Sequence, residues 1–175
     1  MRQSNHLRCT WPKTSSGDLQ IVGHQRKSEM GYDPQKILNT ADSFLLAANR
    51  CFEQRPLGPG RFEMPMVPAI VCIAFAIELY LKAIITLESG AAKGHDLWIL
   101  YDRLTEQAKE ALRKRLSIKH ADLNNKVKEA AGVFLEWRYI FESESSNVDP
   151  AFLSGLAQAC KTYAESKLKN VSVRQ

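Results

Sequence analysis

The 175-residue chain is 45% hydrophobic and 25% charged, with 9 glycines and 7 prolines, a composition that excludes disordered and collagen-like chains and suits one domain with its own apolar core. Its net charge is +5, but residues 1–32 hold five cations against two carboxylates and supply +3 of that, so basicity alone does not mark the remainder as a nucleic-acid-binding domain. Cys9, Cys51, Cys72 and Cys160 show no C-x-x-C spacing, which fits free thiols in a reducing cytoplasm and not a disulfide framework.

Residues 1–32 lack a sustained period of 2 or 3.6 and are expected to form a basic, extended or disordered arm. They carry no apolar h-region, so export is not expected. Asp33 and Pro34 supply an N-cap and a proline at the first helical position, and Ile37, Leu38, Ala41, Phe44, Leu45, Ala48 and Phe52 follow at helical spacing. The prolines and glycines of RPLGPG, residues 55–60, end this first helix. A second helix is predicted from the Pro65 to Pro68 region to about Glu88, apolar on nearly every side, as for a helix surrounded by others. Residues 67–87 have the length of a membrane span, but Glu78 and Lys82 lie inside, and charges near a bilayer centre cost about 2.5–3.5 kcal/mol each. A buried central helix, with no membrane, is the expected reading.

A third helix is predicted to start at His95–Asp96 and to turn Leu97, Leu100, Leu104, Ala108, Ala111 and Leu112 inward. The fourth is predicted over residues 123–142, and Asp149–Pro150 repeats the first start signal to launch a fifth to about Lys169. The fold expected over residues 33–170 is therefore all-α, an antiparallel bundle of four to five helices.

Few residues invite chemistry. Stepping 100° per residue from Phe134 places Arg138 on the same face as Val127, Ala130, Ala131, Trp137 and Phe141. A guanidinium on an apolar face needs a partner. Glu142, one turn on, and Glu78 are the candidates, so Glu78, Arg138 and Glu142 are expected to form one partly buried charge cluster at an interhelical or dimer seam. The alternative is an arginine facing an open cleft and poised on a phosphate, for which its planar fork is suited. Glu78 and Lys82 also form an i,i+4 pair. Lys109, Arg113, Lys114, Arg115, Lys119, Lys126 and Lys128 concentrate positive charge in one stretch, read either as solvated helix ends or as a surface for a phosphate backbone. His6, His24, His95 and His120 show no metal-ligand spacing, so neither a metal nor another cofactor is expected. Asp96 is read as a helix cap.

AIELYLKAII at 76–85, GHDLWILYDRL at 94–104 and FLEWRYIFE at 134–142, in that order on three successive helices, resemble the HEPN superfamily of small prokaryotic helical bundles over about residues 35–168. The resemblance implies a bundle that dimerises through its central helices, in the company of toxins, antiphage proteins and nucleotide-associated accessory domains. HEPN ribonucleases carry an arginine and a histidine separated by four to six residues, and the dimer unites two such motifs for metal-independent RNA cleavage. Arg138 matches the arginine and is the candidate catalytic residue, whereas positions 143 to 145 are Ser143, Glu144 and Ser145. The function expected is thus a non-catalytic, cytoplasmic dimerisation and interaction module of a defence or toxin–antitoxin system. The alternatives are a ribonuclease using Arg138 with a displaced base, His95 or His120, and a passive RNA- or nucleotide-binding bundle. Partners expected are a second copy, RNA or a nucleotide, and a protein that engages the N-terminal arm.

Overall fold

The computed structural model describes residues 32–172 except 91, 118 and 143–146, and the arm expected at residues 1–32 lies outside this range apart from Tyr32. The architecture is an all-α bundle, with one small hairpin. Helix α1 (Pro34–Phe52) starts as the sequence predicts: the Asp33 carboxylate accepts from the backbone N–H groups of Gln35 at 2.9 Å and Lys36 at 3.4 Å, filling two of the four amide donors that a helix start leaves unbonded. Its buried stripe is Leu38, Ala41, Leu45 and Ala48.

Residues expected only to interrupt the chain form a hairpin instead, strands β1 (Arg55–Gly58) and β2 (Arg61–Glu63), paired antiparallel with Pro56 opposite Phe62. Pro59 and Gly60 make the turn, and Gly60 takes φ +68°, the left-handed region that the third position of a type II turn requires. All the hairpin side chains are exposed, so no alternation of apolar and polar residues announced the strands.

Helix α2 (Met66–Ser89) is the core of the bundle, with twelve buried residues that include Ile70, Ile73, Ile77, Tyr80, Leu81, Ile84 and Ile85. It is long and apolar enough to cross a membrane, yet most of that stretch is buried within the protein. The third predicted helix divides into α3 (Leu97–Asp102) and α4 (Glu106–Leu116), because Thr105 caps a new start by accepting from the Ala108 N–H at 3.2 Å. Leu97, Leu100, Leu104, Ala108 and Leu112 are buried as expected, and Ala111 is half-buried.

The fourth divides as well, into α5 (His120–Glu129), α6 (Val133–Arg138) and a 3₁₀ turn at Ile140–Glu142. The break at Ala130–Gly132 frees the Ala131 carbonyl to accept the Leu97 N–H at 3.2 Å. That amide opens α3 and has no partner within its own helix. Since the break resets the helical phase, Arg138 does not share a face with Val127 and Ala130. Helix α7 (Pro150–Ser172) begins at its predicted cap, Asp149, which accepts from the Phe152 N–H at 2.9 Å.

Two polar clusters tie the long helices. The Tyr80 hydroxyl donates to Asp42 on α1, and Lys161 of α7 reaches the same carboxylate at 3.0 Å. Near the end of α2, Glu88 accepts from Tyr163 at 2.8 Å and Thr105 at 2.9 Å and pairs with Lys167 at 3.1 Å.

Candidate functional site

Glu78 is the one charged side chain among the buried described residues, with none of its surface exposed. It sits midway along α2, where its neighbours are apolar, and a carboxylate there must be paired. Its partners are Lys82, one turn on, with Nζ 2.7 Å from Oε1, and His95, with Nδ1 3.0 Å from the same oxygen. His95 reaches back to α2 because the connection between α2 and α3 turns through Gly90 and Gly94, at φ +98° and +102°, values that suit glycine and few other residues. The second oxygen, Oε2, is buried without a hydrogen-bond partner. All the pairing of Glu78 therefore runs through one oxygen.

The expected cluster of Glu78, Arg138 and Glu142 does not form within the chain. Arg138 and Glu142 are exposed, and the guanidinium lies over the rings of Phe134 at 5.3 Å and Tyr139 at 5.5 Å. The reason is the broken fourth helix: only six residues of α6 remain, and Arg138 is its last. Glu78 instead takes its partners from its own helix and from the following turn, both on Oε1.

A cavity of about 390 Å³ adjoins this network. Its apolar wall is Ile37, Leu79 and Ala92, with Tyr32 at the chain's first described position, and its polar groups include Lys82, Lys93, Thr86 and His95. Glu78 stands behind Lys82 and His95, outside the lining. A carboxylate bonded to Nδ1 holds the imidazole in place and leaves Nε2 free. The His95 side chain is 64% exposed, so Nε2 is open to whatever enters.

The second notable surface is apolar. Tyr139 and Phe141 are exposed, Phe141 to 79%, as is Leu135 on α6. Trp137, two residues before Tyr139, is half-buried against the core. Phe134 stacks on Phe75 in the first half of α2 at 5.1 Å between ring centroids. The hairpin that leads into α2 exposes Leu57 and Phe62, the latter to 66%, and Val67 follows on α2 itself.

The basic residues of 109–128 divide between α4 and α5 and are largely engaged. Lys109 lies 3.1 Å from Glu106, Arg113 and Lys114 pair with Glu110, and Lys126 lies 2.9 Å from Asp149. Arg115 lies over the Tyr163 ring and Lys128 over Trp98. Lys119 is exposed. The side chain of His120 lies outside the described ones. Among the described residues no three His, Cys, Asp or Glu side chains come together to hold a metal ion.

Sequence reasoning named His95 as a helix start and a displaced base but not as a partner of Glu78, and of the two cations it offered Glu78, Lys82 is paired and Arg138 is not. The signal was present: a carboxylate inside an apolar helix needs donors, and Lys93 and His95 are the first donor side chains after Gly90. Compared with known proteins, the chain matches no family model, no curated sequence and no solved structure.

Proposed function

We propose that this chain is a HEPN-like helical bundle that acts by association, a dimerisation and interaction module of a prokaryotic defence or toxin–antitoxin system. The observation that carries the reading is the exposed apolar surface toward the first half of α2: Leu135, Tyr139 and Phe141 on one side and Leu57, Phe62 and Val67 by the hairpin. Aromatic side chains with an adjacent arginine are the residues that dominate binding energy at protein interfaces. The position of Arg138 over the rings of Phe134 and Tyr139 supports a part in such a cluster. A two-stranded hairpin whose side chains are all exposed is marginally stable alone and gains from a second copy laid against it. With no histidine at 143–145, the acid/base partner that cleavage asks of the family motif is missing.

The test is gel filtration of the wild type beside Tyr139→Asp and Phe141→Asp. Both variants should elute later than the wild type with unchanged helical circular dichroism, and identical elution of all three overturns the reading.

One observation favours a second reading, a metal-independent ribonuclease. The imidazole of His95 is fixed through Nδ1 by a buried carboxylate, the arrangement that orients a general acid or base. Cleavage of tRNA in EDTA that is lost in both His95→Ala and Arg138→Ala would establish it in place of the first.

A further inference from the structure

The cavity beside Glu78 has a chemical character of its own, independent of how the chain associates. Its volume of about 390 Å³ lies in the range of small-ligand pockets, roughly 300–1,000 Å³. Ile37, Leu79 and Ala92 give it an apolar wall, Lys82, Lys93 and His95 its charge, and no carboxylate lines it. Glu78, outside the lining, is wholly buried behind Lys82 and His95 and bonds both through Oε1.

This arrangement does two things. It fixes the Lys82 ammonium, whose side chain is only 17% exposed, so that little side-chain freedom remains to be lost when a ligand arrives. It also leaves two ammonium groups and an imidazole, and no carboxylate, among the lining side chains, so the lining favours an anion. A cation finds no acidic side chain there, and a neutral apolar molecule would strip water from the lysines without pairing them.

We propose that this cavity binds a small organic anion with a compact apolar body, its carboxylate or phosphate head group held by Lys82, Lys93 and His95 and its body resting on Ile37, Leu79 and Ala92. The ammonium of Lys82 keeps two N–H groups beyond the one it gives to Glu78. Charge-assisted hydrogen bonds to such a head group are the strong kind.

Calorimetric titration of the full chain tests this with four probes: phenyl phosphate, benzoate, inorganic phosphate and benzyl alcohol. Phenyl phosphate or benzoate should bind saturably at one site per chain, and more tightly than inorganic phosphate or benzyl alcohol; the better of the two identifies the head group. Lys82→Gln should weaken that binding about tenfold or more. Lys93→Gln, at an exposed position outside the Glu78 network, should weaken it severalfold and carries the test if Lys82→Gln does not fold. Lys126→Gln, paired elsewhere with Asp149, should bind as the wild type does. The proposal is overturned if neither aromatic anion saturates up to about 10 mM, if benzyl alcohol binds equally well, or if Lys93→Gln and Lys82→Gln bind like the wild type.

Discussion

Removing Lys82 from beside Glu78 separates a buried ion pair from the surface pair that the i,i+4 spacing alone would suggest. An exposed pair of this kind contributes about 0.2–0.5 kcal/mol, which in a chain this long moves the melting temperature by only about 1–2 °C. Here the carboxylate has no exposed surface and the ammonium is 2.7 Å away, so Lys82→Met leaves a buried charge with one remaining partner, and such losses cost about 3–5 kcal/mol. His95 stays hydrogen-bonded to the same carboxylate oxygen, which places the expected cost at the low end, about 3 kcal/mol. The melting temperature should fall by about 6–12 °C. Glu78→Gln keeps an amide oxygen to accept from Lys82 and should cost less, about 1–2 kcal/mol. The double variant Lys82→Met with Glu78→Gln should be more stable than Lys82→Met alone, because a neutral amide replaces the stranded carboxylate. Thermal unfolding followed by circular dichroism reads all three. If Lys82→Met melts within about 2 °C of wild type, or if the two single costs simply add, Glu78 is not a buried paired charge and the reasoning fails.

The Glu88 cluster predicts a pH dependence. Burial pushes its carboxyl up, but hydrogen bonds from Tyr163, Lys167 and Thr105 with the Lys167 charge outweigh this and hold it below its ordinary value. A carboxyl lowered by folding contributes stability that is fully present above its unfolded value, about 4.3, and is lost as the pH falls through the folded value. Urea unfolding across that window should show stability falling with pH, and Glu88→Gln should flatten the slope; an unchanged slope rules out this cluster as the cause. Burial also pushes the Cys160 thiol up to about 12, so iodoacetamide at about pH 8 should modify half-buried Cys51 well before Cys160 in the folded chain. Mass spectrometry showing equal rates would contradict the packing of α7 against α2.

What could be read in the sequence was local chemistry. Asp33–Pro34 and Asp149–Pro150 announce α1 and α7 because a cap and the proline after it are adjacent in the chain and need no tertiary context. The break between α5 and α6 was not readable, since Ala130 and Ala131 are good helix formers and the Ala131 carbonyl is claimed by Leu97, far away in sequence. Of the face inferred from one continuous helical phase across residues 123–142, Val127, Ala130, Phe134 and Trp137 do pack on the core, and Arg138 and Phe141 do not. Glu78 was correctly singled out as a charge in an apolar helix. Its partner His95 was missed because the pairing depends on two glycine turns that return the chain to α2.

Association of two chains is the centre of the account, and light scattering of the full chain over a concentration series at micromolar levels tests it most directly. The account predicts a mass of twice the 19.8-kDa chain that persists on dilution and drops to a single chain in Phe141→Asp. A wild type that scatters as a 19.8-kDa monomer at every concentration would contradict it.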